Sequence, residues 1–211
     1  MHMFANQDSE DSGKPNQRLH SSCTTQKDVA PSKPDVTKMD PFNTDICAQL
    51  RDKLVQSEQR IVFAESCTAG LIAASMGRFP GISSYLAGSA VVYQVATKAA
   101  WLSVSRDDLE HPGPVSRTVS IQMATGALNT TPHADIAVSV TGHLGPGAPP
   151  ELDGTVWTTV AVSNRSVPQI NSRCLQLDLT GETSPADIRN QRQILAVRQV
   201  VEFCLTVLKD G

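Results

Sequence analysis

The chain has 211 residues, enough for one domain with a sizeable core, and its formal net charge is only −3. This weak charge, together with only 5 Phe, 2 Tyr and 2 Trp, argues against binding to nucleic acid or to an anionic membrane. No apolar run approaches the roughly 20 residues that span a bilayer, and the N-terminus carries no apolar signal core. We therefore expect a cytoplasmic protein with no nucleic-acid or membrane partner.

The 5 cysteines are scattered along the chain and form no Cys-x-x-Cys pair. In a chain expected to be cytoplasmic, this pattern favours free thiols over a disulfide framework, and it does not resemble a zinc site. The cysteine pattern therefore predicts no bound metal.

Residues 1–42 are rich in Ser, Gln, Asp, Lys and Pro and contain few large apolar side chains. Such a segment cannot bury enough surface to offset its ordering entropy, so we predict a disordered extension over 1–42. Residues 43–211 then form the single folded domain.

Strands and helices alternate along this domain. The first helix is expected to start at a cap on Asn43 or Thr44. Apolar and alternating patterns predict strands over 60–64, 85–93, 134–142, 155–163 and 173–180. Small-residue or helical spacing predicts helices over 68–77, 97–104 and 114–128, and Ser184-Pro185 is a start signal for the last helix. The alternation predicts a three-layer α/β domain.

Polar residues follow the first strand directly, in the run Glu-Ser-Cys-Thr-Ala-Gly over 65–70. Ligands of α/β sheets gather at the carboxyl ends of strands, and a helix starting near Thr68 would direct free N–H groups into such a site. Ser66 is therefore a candidate nucleophile, although a serine in this position is often only a helix cap. Cys67 is a rival nucleophile or a small packing residue.

A serine nucleophile needs a base, and two side chains are suitably placed. Of the 5 histidines, only His143 lies on a Gly-rich loop that follows a predicted strand. Lys98 follows Tyr93 after a β-prone run and would serve if its pKa were depressed, or it is an ordinary solvated lysine.

Six motifs in order give the domain a specific resemblance. They read AESCTAG (64–70), PGISSY (80–85), VVYQVATK (91–98), GPVSRTVSIQMATGAL (113–128), TGHLGPGAP (141–149) and GTVW (154–157). Their order and spacing over about 44–209 resemble the C-terminal domain of the CinA-like family, the nicotinamide-nucleotide amidohydrolases.

The resemblance implies a fold and an activity. The fold would be an α/β/α sandwich around a mixed, mostly parallel five-stranded sheet, often in a homodimer. The activity would be hydrolysis of the carboxamide of nicotinamide mononucleotide to nicotinic acid mononucleotide and ammonia, without metal or organic cofactor. The family's nucleophile falls on Ser66, its lysine base on Lys98 and its supporting tyrosine on Tyr93. The positions expected to bind substrate are Glu65, Cys67, Thr68, Ala69, Gly70, Thr141, Gly142, His143, Gly145 and Arg189.

The chain departs from the family pattern in its ligand-facing loops. Ala69 replaces a usual glycine, His143-Leu144 replaces Ile-Ala, and Thr183 stands where many members carry arginine. Two alternatives to the expected activity therefore remain: an amidase that acts on another small amide, or a non-catalytic nucleotide-binding protein. We interpret the chain as the short stand-alone form of the family.

Overall fold

A computed structural model describes residues 39–164, 167–179 and 184–209. The strands are β1 (Ile61–Glu65), β2 (Leu86–Val91), β3 (Ile136–Gly142), β4 (Thr155–Val162) and β5 (Gln169–Gln176). The helices are α1 (Thr44–Ser57), α2 (Leu71–Met76), α3 (Val95–Leu102), α4 (Arg106–Glu110), α5 (Arg117–Thr130) and α6 (Pro185–Lys209). Short 3₁₀ turns lie at Ile82–Ser84 and Pro150–Leu152.

The five strands form one mixed sheet in the order β2-β1-β3-β4-β5. Strand β1 pairs in parallel with β2 on one side and with β3 on the other, while β4 is antiparallel to both of its neighbours. Four strands therefore run in one direction and only β4 in the other. The chain passes from β1 to β2 on one side and then crosses to β3 on the other side of β1. The carboxyl end of β1 is therefore a switch point, where α/β proteins form their ligand sites.

Helices cover both faces of this sheet. Helices α1, α2 and α6 bury apolar side chains against one face, together with Phe63 and Val138. Helices α3, α4 and α5 pack on the other face, against Val62, Ala64 and Ala137. All five residues of β1 are buried, as expected for a central strand covered on both faces. The predicted three-layer α/β/α fold with a mixed, mostly parallel sheet is confirmed.

Three local expectations differ from the structure, and one short helix was not expected. The Asp40 carboxylate accepts the backbone N–H groups of Phe42 and Thr44 at the start of α1, while the Asn43 side chain donates to the backbone oxygen of Ile194 instead of capping the helix. Helix α2 begins at Leu71 and not at Thr68. Strand β5 begins at residue 169 and not at 173, because its pairing with β4 already starts there. The short helix α4 was not predicted.

Residues 1–38 of the predicted extension lie outside the described residues. Cys47, Cys67 and Cys204 are buried free thiols, as expected, but the expectation of free thiols is wrong for Cys174 on β5, which is disulfide-bonded. Among the helices that the structure describes, none combines the length and the apolar character needed to cross a membrane.

Gly126 lets α5 approach α3, the helix that carries Lys98. A Cβ atom at this position would lie 2.1 Å from the backbone oxygen of Leu102. We expect Gly126→Ala to lower the free energy of unfolding by about 2 kcal/mol, because overpacking outweighs the gain in helix propensity. Urea unfolding measures the loss, and Asn129→Ala, an exposed position of the same helix, should stay within about 0.5 kcal/mol of the wild type. An unchanged urea midpoint for Gly126→Ala would contradict this close approach.

Candidate functional site

Three parallel strands end at the same edge of the sheet and bring the predicted motifs together. Ser66 directly follows β1, Tyr93 lies two residues beyond β2, and Gly142 is the last residue of β3. The backbone N–H of Ser66 donates to the oxygen of Val140 at 3.0 Å, so the serine is fixed to the end of the neighbouring strand. The site is therefore built on rigid strand ends.

Ser66 and Lys98 are in direct contact. The Lys98 Nζ donates to the Ser66 Oγ at 2.6 Å and to the backbone oxygen of Val92 at 2.8 Å. Lys98 lies on the first turn of α3, 32 residues beyond Ser66, and the loop after β2 places the two side chains together. This is the spacing that a nucleophile and its general base require.

Burial changes the acidity of Lys98. The side chain is only 1% exposed, and desolvation lowers its pKa from 10.5 to about 8. A lysine with this pKa is neutral for a useful fraction of the time near neutral pH, and the neutral amine can accept a proton. Val92 supplies the carbonyl that orients this amine, a contact that the sequence did not reveal.

Cys67 is not a competing nucleophile. Its thiol is buried, and desolvation raises its pKa to about 12 in spite of the nearby Lys98 charge. Because the thiolate is the reactive form, a thiol with this pKa is inert near neutral pH. Cys67 contributes its backbone and one side of the pocket.

The Glu65 carboxylate does not line the pocket, because it is fully buried and caps α2. It accepts the Thr68 hydroxyl and the backbone N–H groups of Gly70, Ile72 and Ala73, at 2.8 to 3.1 Å. It also accepts the Ser89 hydroxyl on β2 at 3.1 Å. The amides of Gly70, Ile72 and Ala73 are therefore not available to a ligand, since a side chain of the protein occupies them.

Two backbone amides of the turn 66–70 donate to no oxygen atom of the described residues. Ala69 N–H donates to the Ser66 oxygen at 3.1 Å, and the amides of Ser66 and Gly70 are also bonded. The N–H groups of Cys67 and Thr68, by contrast, have no oxygen acceptor within the described ranges. These are the two amides next to Ser66, as an oxyanion site requires.

Tyr93 and Arg189 meet at the entrance of the site. The Arg189 guanidinium donates to the Tyr93 hydroxyl and, at 2.9 Å, to the backbone oxygen of Gly145. Tyr93 forms no hydrogen bond with Lys98 in the described part of the chain: the tyrosine is half exposed, and its hydroxyl accepts from Arg189 of α6. Arg189 therefore links α6 to the loops that follow β2 and β3.

A pocket of about 240 Å³ opens beside Ser66. Most of the predicted residues line it, namely Ser66, Cys67, Tyr93, Lys98, Thr141, Gly142, His143, Gly145 and Arg189. Glu65, Thr68, Ala69 and Gly70 do not line it, because the side chains of Glu65 and Thr68 hydrogen-bond to each other in the core and the turn carries the next two residues away. The Thr141 hydroxyl, although at the pocket, donates to the backbone oxygen of Pro114 at 2.8 Å.

Sequence reasoning missed two side chains of α6 that support these loops. Arg192 donates to both carboxylate oxygens of Asp153 at 2.7 Å and to the backbone oxygen of Leu177 at 3.1 Å, which fixes the end of the Gly-rich loop. Gln193 donates to the backbone oxygens of Cys67 and Thr68. The helical spacing of these residues with Arg189 was the available signal, since it places them on neighbouring positions of one helix.

Lys98 and Arg189 are the lining side chains of the pocket that carry positive charge near neutral pH, and no carboxylate is among the lining residues. Within the part of the chain that the structure describes, no group of at least three His, Cys, Asp or Glu side chains is arranged to hold a metal ion. The electrostatics of the pocket suit an anionic ligand.

Comparisons with known proteins find similar sequences and similar folds. The family model described as the CinA C-terminal domain matches residues 43–203. A CinA-like protein of Myxococcus xanthus is 36% identical over 140 residues, which are 64% of this chain and 31% of that protein. A CinA-like protein of Mycobacterium tuberculosis is 44% identical over 108 residues, which are 50% of this chain and 25% of that protein. The chain thus spans about a third or less of the length of these relatives.

Solved structures show the same fold. A competence-damaged protein (CinA) superfamily protein from Escherichia coli superposes with a TM-score of 0.68 at 26% identity, covering 80% of this chain and 90% of that one. A competence/damage-inducible protein from Agrobacterium tumefaciens gives a TM-score of 0.68 at 28% identity, covering 81% of this chain and 97% of that one.

Proposed function

The chain belongs to the CinA C-terminal domain family, and on that premise we propose that it hydrolyses the carboxamide of nicotinamide mononucleotide. Ser66 is the nucleophile and Lys98 the general base. The observation that carries the proposal is the 2.6 Å contact between the Ser66 Oγ and the Nζ of a buried lysine. A lysine used only for solubility would remain in water, whereas this one is desolvated and directed at a hydroxyl.

In the proposed acylation step, neutral Lys98 takes the Ser66 proton while the Oγ attacks the amide carbon. The developing oxyanion accepts hydrogen bonds from the N–H groups of Cys67 and Thr68. The Lys98 ammonium then gives its proton to the leaving nitrogen, the C–N bond breaks, and ammonia departs. A nicotinoyl ester remains on Ser66.

In the proposed deacylation step, Lys98 is neutral again and takes a proton from water, which attacks the ester carbonyl. Collapse of the second oxyanion returns the proton to the Ser66 Oγ and releases nicotinic acid mononucleotide. Arg189 favours the phosphate of the substrate, because no lining carboxylate opposes it. The catalytic role of Tyr93 and the homodimer stay predictions.

The experiment that tests the proposal is ammonia release from nicotinamide mononucleotide by the full chain. Nicotinamide riboside, which lacks the phosphate, and free nicotinamide serve as matched substrates. We expect turnover of the mononucleotide and at least tenfold lower kcat/KM for the riboside, as about 1.4 kcal/mol of lost phosphate binding would give. Turnover of another small amide without turnover of the mononucleotide would change the substrate class. Binding of the mononucleotide without turnover would make the chain a binding protein.

The activity should depend on pH through Lys98. Its pKa in the fold is about 8, and only the neutral amine can accept the Ser66 proton. We therefore expect kcat/KM to rise with pH, with an apparent pKa near 8, and to be about tenfold below its plateau at pH 7. A profile that is flat from pH 6 to pH 9, measured with a buffer series of constant ionic strength, would contradict Lys98 as the base.

A further inference from the structure

The Gln193 side chain of α6 donates hydrogen bonds to the turn 66–70, which carries Ser66. Its Nε2 donates to the backbone oxygen of Cys67 at 3.2 Å and to that of Thr68 at 3.0 Å. Both hydrogen bonds are partly buried, and they join residues more than 120 positions apart in the chain. A carboxamide NH₂ has two protons, so one nitrogen can serve both carbonyls.

These contacts fix a particular peptide unit. In a trans peptide, the C=O of one residue and the N–H of the next lie in one plane and point in opposite directions. The peptide unit between Ser66 and Cys67 carries the Cys67 N–H at one end and the Ser66 oxygen at the other. It is fixed at the oxygen end, because the Ser66 oxygen accepts the Ala69 N–H. The peptide unit between Cys67 and Thr68 carries the Thr68 N–H at one end and the Cys67 oxygen at the other. Within the described residues, only Gln193 donates to that oxygen.

We propose that Gln193 is a positioning residue for the oxyanion site, which it sets by fixing the peptide unit between Cys67 and Thr68. This inference rests on the proposed function, since it assumes that the Thr68 N–H meets a developing oxyanion. A hydrogen bond at the carbonyl end also polarises the amide, which strengthens its N–H as a donor. Gln193 touches neither the substrate nor the reacting atoms.

The same two turns of α6 also fix the other side of the pocket. Arg189 bonds to Gly145 and Tyr93, and Arg192 bonds to Asp153 and to the Leu144 oxygen. Gln193 is the member of this group that reaches the nucleophile turn. Its loss should therefore affect the chemical step and not the binding of the nucleotide.

The test compares Gln193→Met with Gln191→Met in the full chain. Met preserves the length of the side chain and removes both donor protons, and Gln191 is a partly buried glutamine of the same helix. We expect Gln193→Met to lower kcat for nicotinamide mononucleotide by about 10- to 100-fold, because one oxyanion donor is misplaced and not removed. The KM should change less than about twofold, and the apparent pKa of the pH profile should stay near the wild-type value. Gln191→Met should behave as the wild type.

A second readout does not depend on the substrate. A fluorophosphonate reacts with an activated serine by forming an Oγ–P bond and expelling fluoride, while the base takes the serine proton, and its phosphoryl oxygen needs the same donors. We expect Gln193→Met to slow the labelling of Ser66 by about the same factor as kcat. If the wild type labels but does not turn over nicotinamide mononucleotide, the proposed function fails while the labelling rates still test Gln193. Labelling by Gln193→Met at the wild-type rate, or a raised KM with unchanged kcat, would overturn the inference.

Discussion

Replacing Ser66 by Ala is expected to lower kcat/KM by about a thousandfold or more, and Lys98→Met should cause a loss of similar size. The two groups act as one unit, because the hydroxyl is nucleophilic only when the amine 2.6 Å away takes its proton. The double variant should therefore be no less active than either single variant, which steady-state ammonia release would measure. Lys209→Met removes an exposed lysine at the end of α6 and should retain full activity.

Lys98→Met should not lose activity through unfolding. The pKa of Lys98 is lowered in the fold from 10.5 to about 8, so between these values only the unfolded chain holds the proton. The free energy of unfolding contributed by this group therefore rises with pH across that window and is lowest below pH 8, where the fold must bury an ammonium. At pH 7, Lys98→Met should be at least as stable as the wild type in urea unfolding. If Lys98→Met were both inactive and unfolded, its lost activity would say nothing about catalysis. Unfolding would also contradict the expectation that burying the Lys98 ammonium costs stability at pH 7.

The second large effect concerns Glu65, whose fully buried carboxylate accepts five hydrogen bonds. Glu65→Gln keeps the shape of the side chain but turns one acceptor oxygen into an NH₂ group that faces donors. At least one backbone N–H of α2 then loses its partner, and the charge-assisted character of the other bonds is lost. We expect the free energy of unfolding to fall by about 3 kcal/mol, measured by urea unfolding at pH 7.

Ser89→Ala is the graded comparison for Glu65→Gln. It removes a single neutral donor from the same carboxylate, so it should cost only about 1 kcal/mol. A Glu65→Gln protein as stable as the wild type would show that the N-terminal amides of α2 do not depend on this side chain. If Ser89→Ala lowered the free energy of unfolding as much as Glu65→Gln, the hydrogen bond to β2, and not the cap of α2, would be the main stabilising contact of Glu65.

The core strands could be predicted from the sequence because their burial shows in the residue types of the strands themselves. Strands β1 and β3 are covered on both faces, so nearly every residue in them is apolar or small, and the pattern needs no knowledge of partners. The edge strand β5 is only partly buried, and its start is determined by pairing with β4. A window of local alternation therefore placed it four residues too late.

The start of α2 shows a different limit. Thr68 has the residue type of a helix cap, but Ala69 and Gly70 have φ values of 53° and 93°, and the cap is the side chain of Glu65. A carboxylate that reaches amides five to eight residues ahead leaves no short-range signal in the sequence. The position of Glu65 beside Ser66 therefore predicts a ligand contact, whereas its side chain lies in the core.

The position of Ser66 at the end of a predicted strand was a physical signal, but the choice of Lys98 over His143 as its base rested on the motifs. Nothing local to Lys98 indicates its burial, because it follows Ser66 by 32 positions and meets it only through the crossover from β1 to β2. Gln193 and Arg192 were missed for the same reason, since their partners are backbone carbonyls and one carboxylate on distant loops. The contact of Tyr93 with Arg189 depends on how α6 crosses the end of the sheet.

The most direct test of the central claim is the rate of fluorophosphonate labelling of Ser66 as a function of pH, with the site mapped by mass spectrometry. Because the probe needs only an activated serine, the result does not depend on which amide is the substrate. We predict labelling of Ser66 that rises with pH around the Lys98 pKa of about 8, is absent in Ser66→Ala, and is at least about a hundredfold slower in Lys98→Met. No labelling of Ser66 at any pH, or equal rates in the wild type and Lys98→Met, would contradict a serine nucleophile activated by a buried lysine.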